Sequence, residues 1–112
     1  MDRASLKLLW DMLEHALDIQ EMTKGISFEV YANDRKVTLA VERCFEVIGN
    51  ALSKLEKLRT DIAITNKEKI IGLRNKLAHS YDEVEPVNIW KTIKTDLPIL
   101  ISEVENLLNV KD

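Results

Sequence analysis

The segment Arg74-Asn75-Lys76-Leu77-Ala78-His79-Ser80-Tyr81 holds the residue types most able to do chemistry in this chain. Histidine ionises near neutral pH and is suited to moving protons. Arginine offers a permanent, planar fork of donors that matches phosphate oxygens. An arginine, four residues and a histidine make a minimal kit for gripping or cutting a phosphodiester. The chain has only two histidines, and the other, His15, falls at the edge of a polar stripe and is expected to be exposed. No Cys/His spacing suggests zinc, no paired carboxylates share a metal-binding register, and no glycine-rich phosphate or dinucleotide motif is present. Asp82, Glu83 and Glu85 read as a solvated loop after the motif. Trp10 and Trp90 sit on apolar faces and are expected in the core, not as base-stacking platforms.

The element that must position the motif is a helix over Lys67 to about Tyr81, with Asn66 as its expected cap. With Ile70 at zero on a helical wheel, Leu73, Leu77 and Tyr81 form the core-facing stripe. Arg74 falls about 40° to one side, Asn75 about 140° away and His79 about 180° away, opposite the core. Arg74 and His79 are therefore about 140° apart, so one ideal helix does not aim both at one atom. Ile71 and Ala78 make an apolar strip beside them. Against a second protomer that strip would place Arg74, Asn75 and His79 in a cleft between subunits.

Three further long helical patterns surround this one, with no strand-like alternation. The first runs from about Asp2 to Lys24, with Gly25 as its stop. Its apolar arc spans roughly 200°, wider than one core stripe requires, which predicts a second burial surface and a homodimer. A short helix is expected over Ser27 to Ala32. A long one follows from Asn33 or Asp34 to about Leu58, with the seam Val37, Val41, Cys44, Ile48, Ala51 and Leu55. Gly49 and Ala51 would let another helix approach closely. The last pattern runs from Pro86 to about Asn109, and Pro98 should kink it near Lys94 or Thr95. The expected fold is all-α: an up-and-down four-helix bundle with one or two short extra helices, as one domain over residues 1–112.

Composition agrees with that class. The chain has 112 residues, is 46% hydrophobic and 31% charged, and has three glycines and two prolines. No apolar run approaches the roughly 20 residues needed to span a bilayer. Met1-Asp2-Arg3 leads straight into an amphipathic pattern, and the single cysteine, Cys44, has no internal partner. A cytoplasmic protein with no membrane contact is the expectation. The net charge of −3 argues against a broad nucleic-acid-binding surface. Residues 54–76, however, carry seven basic and three acidic side chains, and this positive segment runs into the Arg-His motif.

Gly72-Leu73-Arg74-Asn75 through His79-Ser80-Tyr81 resembles the HEPN superfamily, and closely the HepT toxins paired with MNT-type nucleotidyltransferases. Arg43 through Ile48-Gly49-Asn50-Ala51 resembles a family helix segment that usually has Glu where this chain has Asn50. Asp96-Leu97-Pro98 resembles the family's proline-bearing last helix. The resemblance covers nearly the whole chain. It implies a homodimeric, metal-independent endoribonuclease, with no cofactor. It also implies an antitoxin partner, an MNT-type nucleotidyltransferase that adds AMP to Tyr81. In that scheme His79 moves the proton of the RNA 2′-OH or of the leaving 5′-oxygen, and Arg74 stabilises charge on the phosphate. Asn75, four residues before His79 and on its face, orients the imidazole or the phosphate. The alternative within the same resemblance is a non-catalytic HEPN module that binds nucleotide or docks a nucleotidyltransferase subunit.

Overall fold

A computed structural model describes residues 1–109. Its elements are all helical: α1 (Arg3–Thr23), α2 (Phe28–Asn33), α3 (Arg35–Leu58), α4 (Lys67–His79), α5 (Pro86–Lys91) and α6 (Leu97–Leu108). Short-range chemistry sets most boundaries. Asp2 accepts from the Ser5 amide at 3.2 Å and caps α1. Ser27 caps α2 and Asp34 caps α3 in the same way. Beyond Thr23 the chain turns at Gly25, whose φ of 74° suits a residue without Cβ. Asn66 stands at the start of α4 but makes no side-chain capping bond. Its ψ of 25° is far from the extended geometry that aims a cap oxygen at the first-turn amides.

The expected all-α bundle forms around one core. α1 packs on α3 and α6, and α4 packs on α3. Leu9, Met12 and Ile19 of α1 meet Phe45, Ile48, Leu52 and Leu55 of α3, and Ile70, Leu97 and Leu100 close the other side. Fully burying such side chains contributes about 1.5–3 kcal/mol each. The α3 seam is as expected, with Val41, Cys44, Ile48, Ala51 and Leu55 buried.

The last expected helix is split. Between α5 and α6 lies a π-helical turn, Thr92–Asp96, in which the Leu97 amide reaches back to the Thr92 carbonyl. Pro98 has no amide to donate to the Lys94 carbonyl, and the wider turn absorbs the loss. The Thr92 and Thr95 hydroxyls also bond carbonyls one turn back, at 3.0 and 2.7 Å.

Two placements correct the sequence reading. Trp10 is 49% exposed, not core. The inner face of α1 is already filled by Leu9, Met12, Leu13, Ala16 and Ile19, and Trp10 sits about 100° outward from Leu9. Trp90 is half-buried as a core edge, 5.2 Å from the Tyr31 ring, with the Lys94 ammonium over its face. Tyr81 is the second correction: α4 ends at His79, and Tyr81 begins a separate 3₁₀ turn, Tyr81–Glu83. Three acids and Pro86 follow His79 closely. Acidic side chains are unfavourable at the negative end of the helix dipole, and the residue before a proline resists helical geometry.

Candidate active site on the motif helix

Arg74, Asn75, His79 and Tyr81 all lie at the C-terminal end of α4 and the turn after it. Three forces hold α4 in place. The first is burial of Ile70 and Leu77 in the core. The second is an unusually close approach to α3 at Gly49. A Cβ added there would lie 2.8 Å from Arg74 Cγ and nearer still to Arg74 Cβ. A glycine at this position is therefore what lets Arg74 lie against α3. The third is an ion pair at the other end of α4. Lys69 Nζ is 2.6 Å from Oδ2 of the buried Asp96, which sits in the π-helical turn. Nearby, the Thr65 amide donates to the Glu103 carboxylate at 3.0 Å and ties the loop before α4 to α6.

Arg74 is half-buried along its stem. Its Nε is buried and has no hydrogen-bond partner, while Nη1 donates to Asn75 Oδ1 at 2.9 Å. Asn75 thus steadies the arginine fork; among the described residues no hydrogen bond joins it to His79. His79 is exposed, as the wheel requires of a residue opposite the core stripe. Tyr81 is 72% exposed, so its hydroxyl is open to solvent and not a packing group. The break at Ser80, with φ of −148° and ψ of 42°, turns it away from the Leu77 stripe. Asp82, Glu83 and Glu85 are all exposed, as expected of a solvated loop.

A groove of about 410 Å³ runs along the neighbouring face of α4. Lys69, Lys76 and Lys91 line it together with Glu68, Glu83 and Asn88. Arg74 and His79 do not line it. His15 is half-buried rather than exposed, with Nδ1 2.7 Å from the Asp11 carbonyl oxygen. Among the described residues, no cluster of three or more His, Cys, Asp or Glu could hold a metal ion. No described helix is long and apolar enough to cross a membrane.

What sequence reasoning missed is the clamp rather than the motif. Lys69–Asp96 joins residues far apart in the chain, and its one signal was an aspartate beside the kink-forming Leu97-Pro98. The exposed stripe of α1 and the Ile71/Ala78 strip of α4 belong to helices that both pack on α3.

The chain is similar to known proteins over most of its length. The family model described as "Ribonuclease HepT-like" matches residues 12–107. The protein named "Putative RNase MJ1216" of Methanocaldococcus jannaschii is 35% identical over 101 residues, covering 89% of this chain and 84% of that protein. The "Putative RNase TTE0752" of Caldanaerobacter subterraneus is 38% identical, covering 86% and 90%. The "Probable ribonuclease HepT" of Thermococcus cleftensis is 33% identical over 111 residues, covering 96% and 98%. No solved structure matches. With this helical bundle, the Arg74/His79/Tyr81 end of α4 and a match over residues 12–107, the chain belongs to the ribonuclease HepT-like family of the HEPN superfamily.

Proposed function

We propose that this chain, as a single helical domain over residues 1–112, is an endoribonuclease and the toxin of a HEPN/MNT toxin–antitoxin pair. The observation that carries the reading is the exposed end of α4, where His79 and Tyr81 face solvent beside an arginine whose Nε has no partner. RNA brings its own nucleophile, the 2′-OH, so the protein need not supply one. His79 takes the 2′-OH proton as oxygen attacks the adjacent phosphorus, or returns a proton to the departing 5′-oxygen. Arg74 faces the charge that builds on the phosphate, in a half-buried setting where a charged donor counts for more than in water. Asn75 holds the guanidinium for that task through its 2.9 Å bond.

The angular separation of Arg74 and His79 favours assembly from two copies. A homodimer meeting at the Ile71/Ala78 strip would cover that apolar surface and set the arginine of one subunit near the histidine of the other. Control comes from a nucleotidyltransferase partner. The Tyr81 oxygen attacks the α-phosphorus of ATP, the tyrosine proton is lost, and pyrophosphate leaves. The AMP then adds negative charge and bulk beside the motif and opposes RNA.

The test uses RNA with a single 2′-deoxy nucleotide at a mapped cleavage site. Cutting should stop there alone, and the normal products should end in 2′,3′-cyclic phosphate and 5′-hydroxyl. Cleavage of the deoxy site at the ordinary rate would contradict the mechanism. For the partner step, intact mass after incubation with ATP and the nucleotidyltransferase should show added AMP on the wild type and none on Tyr81→Phe. Equal labelling of both would place the modification elsewhere.

A further inference from the structure

We propose that the outer face of α1 is a second self-association surface, on which two copies of the chain pair α1 against α1 in antiparallel orientation. The face is a seam of six residues: Arg3, Lys7, Trp10, Glu14, Leu17 and Glu21. Their spacing alternates four and three, which keeps them within a stripe of about 80° on a helix and is the spacing of helix–helix seams. All six are exposed. Trp10 is 49% and Leu17 43% exposed, so two large apolar side chains stand on this face.

Charge order along the seam says what covers it. The N-terminal half carries Arg3 and Lys7, with Asp11 alongside and paired with Lys7; the C-terminal half is anionic, with Glu14 and Glu21 and with Asp18 alongside. Parallel pairing would set arginine on arginine and glutamate on glutamate. Antiparallel pairing about a two-fold axis sets each half on its opposite, and places Arg3 of one copy across from Glu21 of the other. The two Trp10 side chains then flank the axis, with Leu17 near each.

The flank of the seam repeats the pattern. Beside its N-terminal half lies an apolar groove of about 860 Å³ between α1 and the end of α3, lined by Ala4, Leu8 and Leu58 and bordered by Lys54 and Lys57 on α3 and by Asp11 on α1. A two-fold axis across antiparallel helices keeps the α3 side of both copies on the same side. Asp18 of the second copy therefore comes over Lys54 and Lys57. Among the described residues, none of Arg3, Lys54, Lys57, Glu14, Asp18 and Glu21 is in a salt bridge within the chain; Lys7 is paired with Asp11 at 3.1 Å. The seam is on α1 and the motif is on α4, so this contact leaves Arg74 and His79 untouched. It does not depend on the RNA reading.

The test mixes Arg3→Cys with Glu21→Cys under mild oxidation. Cys44 is buried and contributes little background. Each mixed pair still keeps one intact Arg3–Glu21 contact at its other end. A mixed disulfide in several-fold excess over either homodisulfide is expected, falling in about 1 M salt as screening weakens the charge pairing. Adding Trp10→Ala to both variants should cut the mixed product by about tenfold, the effect of losing a central aromatic anchor. Homodisulfides of Arg3→Cys in excess would mean parallel pairing. A mixed yield no higher than the wild-type background, or one unmoved by Trp10→Ala, would mean no such seam. Any of these overturns the proposal. Cleavage of RNA by the wild type is read separately, so a chain that crosslinks but does not cut would refute the enzymatic reading and leave the seam standing.

Discussion

Replacing Gly49 by alanine should separate packing from propensity in a single measurement. By propensity alone, glycine to alanine inside a helix stabilises by roughly 0.5–1 kcal/mol. At Gly49 the new Cβ meets Arg74 Cγ at 2.8 Å and Arg74 Cβ closer, with the Ile70 carbonyl oxygen at 3.4 Å. These are the root of a side chain and backbone, not a flexible tip, so α4 must move. Overpacking of this kind costs about 1–3 kcal/mol and exceeds the propensity gain. The expected net loss is about 1–2 kcal/mol, a fall in Tm of roughly 4–12 °C for a chain of this size. Gly72→Ala is the matched control, since nothing lies within 4 Å of its added Cβ. It should raise Tm by a few degrees. Thermal and urea denaturation followed by circular dichroism reads both. Because the displaced residue is Arg74, Gly49→Ala should also lower RNA cleavage at temperatures where the variant is fully folded. A Gly49→Ala protein more stable than wild type would refute the close approach of α3 and α4.

The Lys69–Asp96 clamp should show in a double-mutant cycle. Lys69→Met strands a buried carboxylate and should cost about 1–2 kcal/mol in urea titration, whereas Lys69→Met with Asp96→Leu should recover much of it. Equal, additive losses would mean the pair contributes nothing. Glu42 has its carboxyl pKa raised above the ordinary 4.5 by burial and by neighbouring Glu46, against Arg35. A raised folded-state pKa means stability present in acid and lost as pH rises past it. Glu42→Gln should therefore gain on wild type at pH 7, with the gain shrinking towards pH 4; a gain that grows in acid would reverse the sign.

The helices were legible because hydrophobic period and capping residues are local signals. Asp34, Gly25 and Pro98 acted where they stand in the chain, and Gly49 lies where α3 and α4 approach closely. Tyr81 was misplaced because periodicity extends a helix until something stops it. Here the stop came from acids and a proline downstream that a wheel does not weigh. Trp10 was misplaced because hydrophobic type says a side chain prefers burial, not that room remains on the inner face. Lys69–Asp96 joins two elements across the bundle, and no local pattern announces such a pair. At the site, the exposure of His79 followed from angle alone. The Arg74–Asn75 bond did not, because a wheel places Cβ atoms and not the ends of long side chains.

Purified protein incubated with end-labelled RNA in EDTA, wild type beside His79→Ala, shows whether the exposed imidazole carries metal-independent cleavage. His79 is exposed and opposite the core, so the variant should unfold within roughly 0.5 kcal/mol of wild type. Cleavage by the wild type is expected with chelator present, and its loss in the folded His79→Ala variant. Intact RNA after incubation with the wild type, or cleavage by His79→Ala at the wild-type rate, would contradict it.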